Sequence, residues 1–269
     1  MGGGNYNTRP MSDLSQLRIE SLRGRVSNDE WQARVDLAAC YRLVHHYGMD
    51  DLVYNHISAR VPGEEGHFLI NAYGMMYEEI TASSLVKIDF EGNVVQDSGT
   101  GYGINQAGFV IHSAVHRGRP DVGCVIHTHS IAGMAVSALD CGLLPITQTA
   151  MYFDGVGMHE YESVAIDLDE QKRLVRDLGG YKAMILRNHG LLAVGPTVPE
   201  AFTNLFWLER ACKAQVAAMA CNAKLHLPAQ EVIDKTNHLY RPETRRRWGP
   251  LEWPALLRLA DRKYPGFRD

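Results

Sequence analysis

Segments with the pattern of strands and segments with the pattern of helices alternate along most of this chain. Short apolar runs such as "NHISARV" and "VGCVIH" indicate strands. Between them lie longer segments in which apolar residues recur every three or four positions, such as "EWQARVDLAACYRLVHHYG". Because this alternation continues to about Lys224, the sequence predicts a single α/β domain.

The predicted elements follow one another closely. Ser27 and Glu30 have the spacing of a capping box that begins the first helix, and Gly48 is placed to end it. Two strands around "PGEEG", a hairpin in "SLVKIDFEGNVV", a helix from about Gln106 to Arg117 and the strand "VGCVIH" come next. A helix in "SIAGMAVSALDCG", a strand "SVAIDL", a helix "DEQKRLVRDLGG", a strand–turn–strand "KAMILRNHGLLAVG" and a long helix after Thr197 complete the pattern.

The chain divides into three parts on composition. Residues 1–26 are expected to be a flexible N-terminal arm, because "MGGGNYNTRP" lacks the apolar stretch of a signal peptide. Residues 27–224 hold the α/β domain. Residues 225–269 contain many arginines and two tryptophans, and we expect this tail to pack on the domain or on a neighbouring subunit.

The overall charge limits the classes of binding partner, and the cysteines indicate the cellular compartment. A formal net charge of -4 gives no general attraction to nucleic acid or to an anionic membrane, although "RPETRRRWGP" leaves an acidic ligand as a minor alternative. No apolar run approaches the ~20 residues that span a bilayer. Five scattered cysteines without a C-x-x-C motif fit a reducing compartment. We expect a soluble cytoplasmic protein that binds a small molecule.

Two histidines end the predicted strand in "CVIHTHS". Side chains alternate along a strand, so His127 and His129 lie on one face, roughly 7 Å apart at their Cα atoms. Imidazoles placed in this way can converge on one ion. The alternative is a pair of hydrogen-bonded histidines with no ligand.

A third histidine follows another predicted strand, in "ILRNHGLLAVG". Its position suggests that His189 faces a cleft where that strand ends. Three neutral imidazoles with an open position are the ligand set of a catalytic Zn²⁺ or another divalent ion, whereas structural zinc sites are closed. Taken alone, His189 fits a buried, hydrogen-bonded turn histidine better than a metal ligand.

The stretches around these histidines resemble the class II aldolase/adducin family. They cover roughly Trp31 to Ala220 and occur in the family's order along the chain. The stretches are "YNHISARV", "FLINAYGMMYEEITASSLVKID", "NQAGFVIHSAVHRGRPDVGCVIHTHS" and "LRNHGLLAVG".

The resemblance implies a fold, a cofactor and an assembly. The fold would be α/β, a three-layer α/β/α sandwich around a largely antiparallel central sheet. His127, His129 and His189 match the family's metal-binding histidines, so the implied cofactor is a divalent metal, with Zn²⁺ first and Mn²⁺ or Fe²⁺ as alternatives. Family enzymes are typically cyclic tetramers, which implies a homo-oligomer with its active site at a subunit interface.

The chain departs from the family pattern at the position of the catalytic acid/base. Gly108, in "NQAG", stands where family aldolases carry a glutamate, and glycine cannot exchange a proton. Gln106 and Ala107 replace two serines that help to hold a substrate phosphate. Asn55-His56 replaces a Gly-Asn pair with a similar role. These differences, with "DCGLLPI" and "HEYE", make the chain most similar to the adducin head within the family.

Several residues are candidates to replace the missing glutamate. His112 lies one helical turn after Gly108 and can project into the same space. Glu78 and Glu79, in "GMMYEEI", are second candidates, and Tyr152 and Tyr240 are further possible proton donors. The alternatives are a packing role for His112, an exposed loop carboxylate at Glu78 and a half-buried core residue at Tyr152.

The sequence therefore predicts a metal-dependent carbon–carbon lyase that acts on a small, non-phosphorylated hydroxy-keto substrate. Retro-aldol cleavage and decarboxylation share a metal-stabilised enediolate, and the sequence does not separate them. The alternative is a non-enzymatic, adducin-like oligomeric assembly module with a structural metal site. A non-haem iron oxygenase on the same scaffold is a further alternative.

Overall fold

A computed structural model describes residue 17 and residues 19–162 and 168–269. Most of the predicted N-terminal arm lies outside the described residues. At the described end of that arm, Leu22 is buried and its N–H donates to Ser83 Oγ at 3.1 Å. The predicted strand "SVAIDL" also lies outside the described residues, except for its last residue.

The centre of the fold is one eight-stranded sheet. Its spatial order is β4-β3-β2-β1-β5-β8-β7-β6. Every neighbouring pair is antiparallel except β6 and β7, which are parallel. The strands are β1 (His56–Arg60), β2 (His67–Asn71), β3 (Leu85–Asp89), β4 (Val94–Gln96), β5 (Cys124–Thr128), β6 (Gly157–His159), β7 (Ala183–Leu186) and β8 (Gly190–Gly195).

Helices cover both faces of this sheet. Helices α2 and α4 pack on one face, and α1, α3 and α5 pack on the other. The predicted three-layer α/β/α sandwich around a largely antiparallel sheet is therefore confirmed. The helices are α1 (Asn28–His46), α2 (Gln106–Gly118), α3 (Ile131–Ser137), α4 (Leu168–Leu178), α5 (Val198–Ala220), α6 (Gln230–Tyr240) and α7 (Trp253–Lys263).

The alternation of side chains along β5 decides where its histidine lies. Cys124 and Ile126 belong to the core beneath α1 and α5, whereas Val125 belongs to the core beneath α2 and α4. His127 continues the second set and therefore lies on the α2 face. On the neighbouring strand β1, His56 is paired with His127, so the two side chains share that face.

The predicted start of the first helix is correct, but its capping box is only half formed. Ser27 Oγ accepts the N–H of Glu30 at 3.1 Å. The Glu30 carboxylate does not reach back to Ser27; it accepts from Arg34 Nε at 2.9 Å and from Lys87 Nζ at 2.7 Å. After the helix, Gly48 has a φ of 62°, which lets the chain turn away from the helix axis.

Helix α3 ends at Ser137, so the prediction that it continues to Gly142 is wrong. Arg187, on the β7–β8 turn, donates to the carbonyl oxygens of Leu139 at 2.8 Å and Asp140 at 3.4 Å. These carbonyls are therefore satisfied by a side chain instead of by another helical turn.

The C-terminal tail contacts the domain at several points. Trp253 is buried and its indole N–H donates to Asp36 Oδ1 at 2.9 Å. Phe267 is fully buried, and its carbonyl accepts the N–H of Ala82 at 2.9 Å. Arg247 pairs with the carboxylate of Glu200. In the described part of the chain, no helix is long and apolar enough to cross a membrane.

Candidate metal centre

Three histidine side chains meet at one end of the central strands. His127 lies near the end of β5, His129 follows that strand, and His189 lies in the turn before β8. Antiparallel pairing of β5 with β8 sets the end of the first strand beside the start of the second. His129 Nε2 is 2.9 Å from Nε2 of His127 and 2.9 Å from Nε2 of His189. Their ligand atoms all lie within 4.8 Å of one another.

The outer nitrogens of two of these rings fix the tautomers. His127 Nδ1 lies 2.9 Å from the carbonyl oxygen of Leu191, and His129 Nδ1 lies 3.1 Å from Oδ2 of Asp51. Both partners are acceptors, so each Nδ1 carries the hydrogen and each Nε2 directs a lone pair into the cluster. Converging lone pairs repel one another unless a cation lies between them, so this donor set fits a divalent metal ion.

Burial keeps two of these imidazoles in the form that binds metals. It lowers the pKa of His127 well below its ordinary value, and the neighbouring His56, His189 and His129 lower it further. Burial and the proximity of His129 also lower the pKa of His189 to about 4. At neutral pH neither ring holds a second proton that a metal would have to displace.

A chain of hydrogen bonds lies behind the centre on the α2 face. His56 Nδ1 is 2.8 Å from His112 Nε2. Ser58 Oγ bridges His112 Nδ1 at 2.5 Å and His116 Nε2 at 2.8 Å. The His56 ring lies beside His127, with 5.1 Å between ring centroids. His112, the predicted replacement for the glutamate, is thus fully buried. The His56 ring contacts both His112 and His127, so His112 reaches the centre only through His56.

The structure also explains why position 108 holds a glycine. A Cβ atom at Gly108 would lie 2.4 Å from Cδ2 and 2.6 Å from Nε2 of His56. Real Cβ atoms do not approach other atoms this closely, so the His56 ring occupies the space that a side chain at position 108 would need. The sequence reasoning missed this role of His56, although it had noted both departures separately.

Glu78 is not in contact with the three histidines. Its carboxylate lies 3.0 Å from His45 Nε2 and is half exposed. His45 Nδ1 in turn lies 2.8 Å from Asp50 Oδ2. A catalytic role for Glu78 stays a prediction, and within this chain its partner is His45.

Tyr152 lies at the opposite end of the sheet. Its hydroxyl donates to Asn204 Oδ1 at 2.6 Å, and Asn204 Nδ2 donates to the carbonyl of Val194 at 2.7 Å. Since a strand rises about 3.3 Å per residue, Val194 is roughly 13 Å along β8 from Gly190, which follows His189. Burial raises the pKa of Tyr152, and its ring packs against Trp207 and Tyr240. The structure does not bring this hydroxyl to the centre of its own chain.

Two other residues, to which the sequence reasoning gave no role, lie at the centre. Asp51 accepts the hydrogen bond that orients His129. Tyr161 is exposed, and its ring centroid is 6.2 Å from that of His189. From the sequence, Asp51 and Tyr161 can be recognised only as polar residues in predicted loops. The sequence does not reveal that these loops lie beside the ends of β5 and β7.

Comparison with known proteins decides the family. The model of the family described as "Class II Aldolase and Adducin N-terminal domain" matches residues 35–216. The chain belongs to this family. The crystal structure of an aldolase II superfamily protein from Pseudomonas syringae has a TM-score of 0.86 and 50% identity, covering 93% of this chain and 100% of that chain.

Proteins named as aldolases and proteins named as adducins are both similar to this chain. L-fuculose 1-phosphate aldolase from Glaciozyma antarctica PI12 has a TM-score of 0.77 and 29% identity, covering 87% of this chain and 92% of that chain. Alpha-adducin of Mus musculus is 45% identical over 207 residues, which are 75% of this chain and 28% of the adducin. The match therefore spans under a third of the adducin's length.

Proposed function

We propose that this protein is a metal-dependent carbon–carbon lyase for a small, non-phosphorylated hydroxy-keto substrate. His127, His129 and His189 hold the metal ion, with Zn²⁺ as the first expectation and Mn²⁺ or Fe²⁺ as alternatives. The observation that carries the proposal is the convergence of three Nε2 atoms, two of which belong to rings whose Nδ1 faces an acceptor, so that in the neutral ring the lone pair lies on Nε2. Similarity to an L-fuculose 1-phosphate aldolase supports carbon–carbon bond cleavage.

The protein's own residues orient and isolate the centre. When bound, a divalent cation supplies a Lewis acid that stabilises negative charge on substrate oxygen as the bond breaks. Asp51 and the carbonyl of Leu191 hold two of the imidazoles in position. His127 is almost fully buried, whereas the His129 side chain is 20% exposed. The side of the centre that solvent or a substrate can reach, its open side, is therefore near His129.

Several contacts argue against a phosphorylated substrate. Arg187 is the arginine nearest to His189 in sequence, and it donates to the carbonyls of Leu139 and Asp140. Its two terminal guanidinium nitrogens are thus already engaged and are poorly placed to bind a phosphate. The His56 ring fills the space beside Gly108, where the resemblance implied parts of a phosphate site.

Position 108 also bears on the choice of reaction. Since Gly108 cannot exchange a proton, the site favours a reaction with few proton transfers. Decarboxylation meets this condition better than retro-aldol cleavage, although both generate the same kind of negative charge.

We further propose that the active form is a homo-oligomer, with a tetramer expected from the family resemblance. Large apolar side chains are exposed close to the centre: Ile131 is 83% exposed and Leu52 is 58% exposed. Ile131 follows His129 by two positions, and Leu52 follows Asp51. A second copy of the chain that covered these side chains would also close the open side of the centre.

An adducin-like assembly module is the competing function. The absence of a carboxylate at Gly108 and the 45% identity to alpha-adducin favour it. In that case the three histidines would bind a metal for structure alone, and no substrate would be turned over.

The test is a screen of small hydroxy-keto acids for release of pyruvate, aldehyde or CO₂. The protein is assayed as purified, after chelator treatment, and after metal is restored, with His189→Ala as the matched inactive variant. Product release that is lost with the chelator, restored with metal and absent in His189→Ala supports the lyase. Stoichiometric metal with no product from any substrate favours the assembly module.

A further inference from the structure

A second cavity lies at the end of the sheet opposite to the metal centre. Its volume is about 230 Å³, and it is lined by the end of β8, the segments before β5 and β7, α5 and the C-terminal tail. Because β5 and β8 are antiparallel, the start of β5 lies beside the end of β8, whereas the three histidines lie at the other end of these strands. None of the three histidines lines this cavity, so it is separate from the metal centre.

Two carboxylates in the described lining of the cavity already have counter-charges. Both oxygens of Asp121 accept hydrogen bonds from Arg119, from Nε at 2.8 Å and from Nη2 at 2.7 Å. Arg119 Nη1 donates to backbone carbonyls in the segment before β7. Both oxygens of Glu200 accept from Arg247, and Oε2 also accepts from Thr197 Oγ1 at 2.8 Å. Each carboxylate is therefore paired with an arginine.

Lys182 is the cation of this lining for which the described residues supply no counter-charge. Its Nζ lies 4.4 Å from the centroid of the Tyr152 ring and forms no ion pair or hydrogen bond with a residue that the structure describes. Burial lowers the pKa of Lys182, while Asp154 and Glu243 act in the opposite direction without forming an ion pair with it. Asp154 is paired with Arg241 at 3.0 Å. A half-buried ammonium in this state is stabilised when an anion binds beside it.

The other side-chain donors of the lining are engaged within the protein. Trp248 donates its indole N–H to a backbone carbonyl of the tail at 2.9 Å, and the Tyr152 hydroxyl donates to Asn204 at 2.6 Å. Pro196 and Pro242, which also line the cavity, have no N–H. A ligand here therefore meets one ammonium group and much apolar surface. A phosphate needs several donors around its oxygens, whereas a monocarboxylate with an apolar body can bind through one cation.

We propose that this cavity, the Lys182 cavity, is a second ligand site, in which Lys182 pairs with the carboxylate of a small monoanion. The apolar body of that ligand packs against the rings of Trp248 and Tyr152. The ligand class is a monocarboxylic acid with an aromatic or branched aliphatic body. Because Trp248 belongs to the C-terminal tail and Lys182 to the domain, the ligand joins the two. The site does not depend on the proposed lyase activity.

The binding test uses para-fluorobenzoate as the probe, followed by fluorine NMR on the full-length protein at neutral pH. We expect saturable binding to wild type and about a tenfold or greater rise in the probe Kd for Lys182→Met, which keeps the apolar stem without its charge. Lys182→Arg retains the charge and should raise the Kd less. Lys224→Met, at an exposed position after α5, is the matched control and should bind the probe as wild type does.

A neutral probe tests the charge pairing without any substitution. Para-fluorobenzamide has nearly the same shape as the acid but carries no charge, so it should bind wild type more weakly than the acid. The difference between the two probes should disappear in Lys182→Met. Equal Kd values of acid and amide for wild type would overturn the pairing of Lys182 with a carboxylate.

The metal centre must be separated from the Lys182 cavity, because a carboxylate can also bind a metal ion. The probe Kd should be the same in His189→Ala as in wild type. A Kd that changes in His189→Ala and not in Lys182→Met would place the probe at the metal centre and overturn the proposal. Wild type that shows no saturable binding of the acid would overturn it as well, and would leave the proposed lyase untouched.

Discussion

Asp51 is the residue outside the three-histidine cluster that acts most directly on it. Its carboxylate accepts the hydrogen of His129 Nδ1, which leaves the lone pair on Nε2. A carboxylate in this position also holds the ring plane of the imidazole. The properties of the centre therefore depend on a loop residue that is not itself a ligand.

Asp51→Asn is predicted to weaken metal binding by roughly 10- to 100-fold, because the amide is a weaker acceptor and fixes the His129 tautomer less firmly. Competition with a chelating dye measures the affinity. Asp121→Asn is the matched control, since Asp121 pairs with Arg119 before the start of β5. Equal affinities for Asp51→Asn and wild type would show that Asp51 does not support the centre.

The residues of the site differ in how far the sequence could predict them. His127, His129 and His189 could be found because strand alternation and the family resemblance both point to them. His56 could not, because its role depends on its pairing with His127 across two strands and on contact with Gly108 in a helix. Tyr152 was a reasonable candidate by composition, but a sequence cannot say which end of the sheet a loop reaches.

At the scale of elements, buried histidines on β1, α2 and β5 make stability sensitive to acid. Burial lowers the pKa of these groups below the ordinary value, so the unfolded chain binds more protons than the folded one once the pH falls below about 6.5. Stability is then fully present above that pH and is lost as the pH falls. The loss continues toward the folded pKa, which is about 4 for His189.

The metal-free protein is therefore predicted to lose stability steadily between about pH 6.5 and pH 4, by up to roughly 1.4 kcal/mol per pH unit for each such histidine. Urea unfolding across this range measures the slope. His67→Gln, which removes a partly exposed histidine, should leave the slope unchanged. A stability that is flat or rises on acidification would contradict the assignment of neutral, buried rings.

Most elements, but not their arrangement, follow from local sequence. Ser27 predicts the start of α1, and strand–turn–strand patterns predict β7 and β8. The end of α3 was misplaced because Arg187, distant in sequence, satisfies the carbonyls of Leu139 and Asp140. The strand order is set by pairing between distant segments, so it was not predicted; the family resemblance implied only the three layers and the largely antiparallel sheet.

At the scale of the whole molecule, the C-terminal tail is part of the packed structure. Phe267 is fully buried, and the backbone around it binds Ala82 and Ser83. Where the domain ends and the tail begins stays a prediction, but the described contacts tie the last residues to the start of β3.

Phe267→Ala is predicted to lower the free energy of unfolding by about 3–5 kcal/mol, because it leaves a cavity in the core. Chemical unfolding measures the change. Leu251→Ala removes an apolar side chain that is 71% exposed and should cost less than about 0.5 kcal/mol. Similar losses for the two variants would show that the tail does not contribute to the core.

The proposed oligomer gives a further prediction for the whole molecule. Ile131→Asp should convert the assembly to smaller species and reduce activity, because a charge replaces an apolar contact near the centre. Light scattering after gel filtration measures the mass. Val95→Asp, on the edge strand β4, is the control for added charge. A wild-type monomer would contradict the proposal.

The most direct test of the account is the metal content of the purified protein, prepared without a histidine tag. Wild type, His127→Ala, His189→Ala and the control His67→Ala are compared by elemental analysis after incubation with Zn²⁺ and removal of the excess. The account predicts about one ion per chain in wild type and in His67→Ala, and almost none in the other two. Wild type without metal, or full metal content in His127→Ala and His189→Ala, would contradict a three-histidine metal centre.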